Sequence, residues 1–328
     1  MTSLPKNPEV LESRDHAMLS APSHMVGFQS PMLHAPHPED GVECYENLEV
    51  SFDPENETIW CSMSPLGRPS FTLPVMRDIT RMQHAVRRIF EARRAAGHPP
   101  YRYFVWGSNT PGIYNLGGDL AFFIDRIRKG DRAAMTRYAH YAIEAVYRNS
   151  ASFHVPLVTI ALVQGDALGG GFECALSLNL LIAEKSAKMG LPEILFNLFP
   201  GMGAYSFLSR RLDVLRTEKL ITSGRIYSAA ELYEMGIVDV LADDGQGESV
   251  ARDYIDSHRR KWNAHYAMFQ ARQRVRSVTL EELRDVVDIW VDAALRLQEP
   301  DLRKMERLVT SQDRRMAALR GGAEAHTG

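Results

Sequence analysis

Apolar and polar residues follow no sustained period over residues 1–42, which are rich in Pro, His, Ser and Met, so a flexible arm is predicted there. The pattern changes at Leu48. "LEVSFD" and "TIWCSM", parted by "PENE", predict a strand, a turn and a strand. Apolar residues then recur at helical spacing (Val75, Ile79, Met82, Val86, Ile89), which predicts a helix from about Leu73 to Ala96, ended by "AAGHPP". "YRYFVWGS", "PLVTIALVQG" and "NLLIAE" are apolar runs of the length of buried strands. Between the first two lie the loop "NTPGIYNLGGD" and two helical stretches, roughly Leu120 to Arg128 and Ala133 to Asn149. "PEILFNLFPGMGA" is predicted as a loop leading to a helix near Tyr205. Beyond about Arg216 the pattern is mostly helical, with one short strand at "IVDVLA".

Strands alternating with helices, followed by helices alone, predict an α/β fold class with a helical C-terminal region. The chain then divides into a flexible N-terminal arm over 1–42, an α/β core over 43–225, a C-terminal helical region over 226–318 and a frayed tail over 319–328. No sequence repeat is visible.

Composition narrows this picture only slightly. With 328 residues, 45% hydrophobic and 24% charged, the chain is long enough for a substantial core and shows no disordered or collagen-like bias. A net charge of -3 lacks the strongly basic footprint of a nucleic-acid binder. The three cysteines, Cys44, Cys61 and Cys174, have no metal-ligand spacing, and their odd number argues against a disulfide framework. Neither an export signal nor a run of the ~18 apolar residues of a membrane helix is visible. A cytoplasmic protein without membrane insertion is therefore expected. His16, His24, His34 and His37 in the arm match no zinc motif and are expected to be solvated.

The informative stretch is "GDALGGGFECAL", Gly165 to Leu176. Three adjacent glycines are a poor way to build a helix or a strand, because folding must remove their conformational freedom. Phosphate cradles fail the count. A Walker A loop starting at Gly165 would need Lys where Gly171 stands, and a dinucleotide fingerprint starting at Gly169 would need Gly or Ala where Cys174 stands. No G-x-S-x-G elbow occurs. A backbone N–H pointed at an oxygen that becomes negative fits better, and "NLGGD" (Asn115 to Asp119), a second glycine pair after another strand, supplies a second such donor. Glu173 lies one turn after Gly170, and Glu193 interrupts an apolar run after Pro192. Each acid also fits a plain structural role, Glu193 as a cap and Glu173 as a first-turn acid.

The segment "VQGDALGGGFECALSLNLLIAEKSAKMGLPEILFNLFPGMGA" resembles the crotonase (enoyl-CoA hydratase and isomerase) superfamily, in which G-G-G-x-E is followed twenty residues later by P-E. "SNTPGIYNLGGDL", "QGDALGGGFE", "PEILFNLFPGMGAY" and "VVDIWVDAALRL" are similar in wording to the diffusible signal factor (DSF) synthases within it. The likeness covers roughly residues 45–315; the first 40 residues exceed what that subfamily leads one to expect.

The resemblance implies a crotonase-like ββα superhelix whose C-terminal helices trim an acyl pocket and build trimers or hexamers. It places oxyanion donors on Gly118 and Gly170 and the acid/base pair on Glu173 and Glu193, without saying which acid plays which part. The implied reaction is dehydration of a 3-hydroxyacyl thioester to a cis-2-enoyl chain, then hydrolysis to a quorum-sensing fatty acid. No cofactor is implied beyond the thioester carrier, acyl carrier protein or coenzyme A. A sensor kinase's receiver domain is a further implied partner.

Leu168, Gly169, Phe172, Met202, Trp290 and Leu308 are candidates for the acyl pocket, with Leu191, Phe196 and Phe199 beside them. Cys174 has no His partner in the stretch and is expected to pack. The Arg clusters "HAVRRIFEARR", "DRIRKGDR", "SRRLD" and "HRRKW" suit an acidic carrier or simply solvated faces. The competing expectations are a trans-2-enoyl-CoA hydratase of fatty acid degradation and a crotonase-fold binding partner of a sensor kinase.

Overall fold

The computed structural model describes residues 43–324. The arm expected over 1–42, with its four histidines, lies outside the described residues.

A hairpin of β1 (Leu48–Asp53) and β2 (Thr58–Met63) leads into α1 (Leu73–Ala95), whose N-cap Thr72 accepts from the Val75 N–H. Three strand pairs follow: β3 (Tyr103–Ser108) with β4 (Ile113–Asn115), β5 (Val158–Val163) with β6 (Asp166–Leu168), and β7 (Leu180–Glu184) with β8 (Lys188–Gly190). The first pair is followed by α2 (Leu120–Arg128) and α3 (Arg132–Ser150) and the second by α4 (Gly170–Leu176). The third is followed by a 3-10 turn at Pro192–Phe196, then α5 (Ala204–Leu208) and α6 (Val214–Ser223). The chain continues through β9 (Ile226–Ser228), α7 (Ala229–Glu234) and β10 (Val240–Ala242), and ends in α8 (Gly247–Arg259), α9 (Trp262–Val275), α10 (Leu280–Ala294) and α11 (Glu299–Glu324).

Each strand pair sends its first member to one sheet and its second to another. The six-stranded sheet has the order β1-β2-β3-β5-β7-β10, parallel except for the β1–β2 hairpin, and the four-stranded sheet has the order β4-β6-β8-β9. This is a ββα superhelix. Where successive turns meet, backbones touch: a Cβ on Gly165 would lie 2.2 Å from the Gly112 carbonyl carbon, so only glycine fits that corner.

The long strands are apolar on both faces because both faces are covered. Tyr103 and Val105 of β3 pack with Ile255 of α8 and Phe269 of α9, while Phe104 and Trp106 face the main core with α1, α3 and α4. Against this core α10 packs on α3, and α11 on α2 and the 3-10 turn.

Two expected boundaries shift. Because β9 pairs with β8 and β10 with β7, the α/β core runs to Ala242 and past 225. The tail expected to fray from 319 is helical as far as Glu324, since extending a formed helix needs no new nucleus and the cost of Gly321 and Gly322 is only about 1 kcal/mol each. Residues 325–328 lie outside the described residues. No described helix is long and apolar enough to cross a membrane.

Candidate active site

The glycine stretch is where β6 turns into α4. Gly169 has φ +51°, which side chains rarely tolerate, and a Cβ there would sit 2.4 Å from Glu193 Oε1. The Glu193 carboxyl is thus laid directly on bare backbone. Gly171 presses on β4, where a Cβ would meet the Asn115 carbonyl at 2.2 Å. Gly117, at φ +91°, comes so close to the triplet that its Cβ would stand 3.1 Å from the Gly170 nitrogen. The two glycine loops therefore meet backbone to backbone. Gly170 opens α4, where an N–H has no intrahelical acceptor. Among the described residues, neither the Gly118 N–H nor the Gly170 N–H donates to another backbone group across a loop or turn.

The two acids approach from different supports. Glu173, in the first turn of α4, is 2% exposed, and its Oε1 accepts from the Met202 N–H at 2.7 Å and the Ala204 N–H at 2.9 Å. Burial pushes its carboxyl up to about 7, and those two donors hold it from rising further. Glu193 rides on the 3-10 turn. The residue as a whole is half-buried, yet Oε2 is shut off from solvent with no hydrogen-bond partner. Burial, then the charge of Glu173, raises it well above the ordinary carboxylate range. Both carboxyls are thus pushed towards their protonated forms, Glu193 by burial and by its neighbour's charge, Glu173 by burial against the pull of two backbone donors. The turn itself is fastened by Asn197, in the left-handed region at φ +64°, whose Nδ2 donates to Asp301 Oδ2 of α11 at 3.3 Å.

Gly118, Gly170, Glu173 and Glu193 all line one cavity, which holds about 550 Å³ of empty space counting that open to solvent. Of the apolar candidates, Met202, Trp290 and Phe196 line it too. Leu168, Gly169, Phe172 and Leu308 do not, nor do Leu191 and Phe199. Phe172 and Leu191 are fully buried in the main core, Gly169 lies beneath Glu193, and Leu308 is a half-buried residue of α11 packed on that core. The rest of the wall is Leu198 and Gly201 after the 3-10 turn, Leu120 and Phe123 of α2, Tyr138, Ala139 and Ala142 of α3, and Val287 of α10; of these Phe123, Tyr138, Ala139 and Ala142 lie outside every quoted motif. The i, i+1, i+4 spacing of Tyr138, Ala139 and Ala142 is the only signal of that face in the sequence. Trp290 closes the cavity by lying on Gly201, where a Cβ would meet its ring at 2.4 Å, with the Phe123 ring 5.2 Å away on centroids.

Cys174 is buried, and burial pushes its thiol up to about 12, so it is no nucleophile at neutral pH. The Arg clusters are tied to acids: Arg87 to Glu91, Arg126 to Asp131, Arg210 to Glu282 and Arg259 to Asp256. Among the described residues no group of His, Cys, Asp and Glu is arranged to hold a metal ion.

The model of a family described as enoyl-CoA hydratase/isomerase matches residues 98–295. "Methylglutaconyl-CoA hydratase, mitochondrial" of Rattus norvegicus is 33% identical over 160 residues, 47% of this chain and 47% of that protein. The match thus spans about half of the relative's length. Among solved structures, an enoyl-CoA hydratase from Bacillus halodurans aligns with TM-score 0.65 at 17% identity, covering 80% of this chain and 99% of that one. Pseudomonas aeruginosa DspI aligns with TM-score 0.57 at 22% identity, covering 83% and 98%. The fold is thus crotonase-like α/β with a helical C-terminal region.

Proposed function

Since the chain belongs to the enoyl-CoA hydratase/isomerase family, we propose that its cavity dehydrates a 3-hydroxyacyl thioester and hydrolyses the cis-2-enoyl thioester that results, releasing an unsaturated fatty acid signal. One observation carries the first half of this reading: two buried carboxyls with unlike partners, Glu173 held by two backbone N–H groups and Glu193 with an unpartnered oxygen, line the same apolar cavity as Gly118 and Gly170.

The chemistry follows from those four residues. The thioester oxygen lies between the N–H groups of Gly118 and Gly170, which stabilise the enolate-like transition state; losing one such donor typically costs about 3 kcal/mol. Ionised Glu173 takes a proton from C2. Protonated Glu193 gives its proton to the 3-hydroxyl, which leaves as water. The C2–C3 double bond forms as the C3–O bond breaks, and the proton now on Glu173 returns to Glu193 before the next turnover. For hydrolysis a glutamate takes a proton from water, the water oxygen adds to the carbonyl carbon, and the thiol leaves protonated. The same oxyanion donors serve the tetrahedral intermediate, and no covalent enzyme intermediate is needed.

The cis product, the thioesterase step and acyl carrier protein as the donor rest on the resemblance of "SNTPGIYNLGGDL" and "PEILFNLFPGMGAY" to DSF synthases. A cavity walled by Phe123, Trp290 and Val287 suits an apolar acyl group. A second reading, reversible hydration of a trans-2-enoyl-CoA, is favoured by the hydratase names of the relatives.

Mass spectrometry on 3-hydroxydodecanoyl carrier protein and the matching coenzyme A ester tests both, with Glu173→Ala and Glu193→Ala as controls. Free cis-2-enoic acid from the wild type and not from either variant is the expected result. Trans-2-enoyl-CoA alone would move the protein to the hydratases, and no turnover of either substrate would overturn both readings.

A further inference from the structure

The Gly118 N–H sits in a loop whose Asn115 Oδ1 accepts from the Gly117 N–H at 2.8 Å, one peptide short of the Gly118 N–H itself. Gly117 and Gly118 are adjacent, and Gly117 is at φ +91°. Such a segment has more conformational freedom than any other pair of residues. An oxyanion donor, however, works only if it is already aimed at the place where negative charge develops. Asn115 secures the Gly117 side of that peptide; the Asp119 side needs a hold from outside the loop.

Tyr138 of α3 stands where that fixing is needed. Its hydroxyl donates to the Phe71 carbonyl and accepts from the Asp119 N–H at 3.1 Å. These two partners enclose Gly118. Asp119 is the next residue along the chain; Phe71 is bridged to Gly118 in parallel register, and its own N–H donates to the Gly117 carbonyl at 2.8 Å. One phenol oxygen therefore closes a ring of hydrogen bonds around the Gly118 peptide. A Cβ on Gly118 would lie 3.7 Å from that oxygen. Burial holds the phenol far above its ordinary pKa, so the proton donated to Phe71 stays on oxygen at any working pH. The ring stacks on Phe122 at 5.2 Å and meets Phe123 edge-on at 4.9 Å, which leaves the hydroxyl little freedom to turn.

We propose that Tyr138 is a positioning residue for the oxyanion hole: its hydroxyl, shared between Phe71 and Asp119, fixes the direction of the Gly118 N–H. It lines the cavity, but its two hydrogen-bonding capacities are taken by backbone, so it acts through Gly118 and not on the substrate. The inference rests on the thioester reading above.

Tyr138→Phe keeps the ring and its stacking and deletes one oxygen. Three quantities separate positioning from plain stability. Turnover of the 3-hydroxyacyl thioester should fall at least about tenfold in kcat, a modest loss for a displaced catalytic donor, with KM within about twofold. Affinity for a saturated acyl thioester, which places no full negative charge on its oxygen, should change less than about twofold. Affinity for the enolate of a 3-ketoacyl thioester, read at a pH where that enolate is populated, should fall about as far as kcat does. Equal kcat in Tyr138→Phe and wild type would overturn the inference alone. So would parallel loss of all three quantities, or loss of a cooperative melt, because either would assign the hydroxyl to the fold. A wild type inert to every thioester would instead overturn the thioester reading and the inference with it.

Discussion

Glu173 and Glu193 line the same cavity, yet their local partners set them apart. Two backbone N–H groups on Oε1 moderate the rise of Glu173, while Glu193 has an unpartnered Oε2 and a neighbouring negative charge. If Glu173 is the base, kcat/KM should fall as pH drops below about 7, where that carboxyl takes up a proton. Its folded value of about 7 lies above the 4.5 of an ordinary glutamate, so the native state binds the extra proton between those values. Stability is therefore lost as pH rises through that window. Melting curves should show Glu173→Gln gaining on wild type between pH 5 and pH 8, and an unchanged difference across that range would refute the assignment. These acids and glycines were legible because oxyanion and proton-transfer chemistry restricts both residue type and spacing. Tyr138 and Ala142 were not: nothing in "RYAHYAIEA" tells an aromatic or small residue facing a cavity from one facing the core.

At the scale of elements, the six-residue strands β2, β3 and β5 carry enough apolar pattern to be recognised, whereas β4, β6, β8 and β9 have three residues each and show no period at all. The second sheet was invisible for that reason. So was the turn between α3 and β5, where Ser152, Phe153 and His154 run consecutively at φ +49°, +56° and +60° without a glycine among them. Left-handed backbone costs an ordinary residue about 1 to 2 kcal/mol. Phe153 compensates by burying its ring edge-on to Phe104, and the Ser152 hydroxyl donates to Asn179 Oδ1 at 3.0 Å. His154 is exposed, and its ring makes only a tilted contact with Tyr147 at 5.8 Å between centroids. Chemical denaturation should find His154→Gly more stable by roughly 0.5 to 1 kcal/mol, the relief of strain less the freedom glycine adds to the unfolded chain.

Across the whole molecule, the C-terminal helices are part of the site. Trp290 and Val287 of α10 close the cavity, and α11 reaches back to the superhelix at several points. Asp301 holds Asn197 beside Glu193, and Arg315 donates to Asp166 Oδ2 at 2.6 Å and to the Gly112 carbonyl at 3.0 Å. The sequence marked these helices as a separate region because their period differs from that of the core; their return to the first half depends on tertiary pairs that no local pattern encodes. Asp301→Ala removes the acceptor of Asn197 Nδ2 and of the Gln298 N–H, at 3.3 and 3.2 Å. A loss of about 1 to 2 kcal/mol is expected in equilibrium unfolding. If the contact also steadies Glu193, kcat should drop by more than that destabilisation accounts for under conditions where the variant stays folded.

The indole laid on Gly201 has one more consequence. Of the four tryptophans in the chain, Trp290 alone lines the cavity, and it is 6% exposed. An acyl chain sliding past Phe123 would exchange water for hydrocarbon against that ring and alter the colour and yield of its emission. Filling of the pocket should therefore be readable in real time as a change in tryptophan emission, without any label.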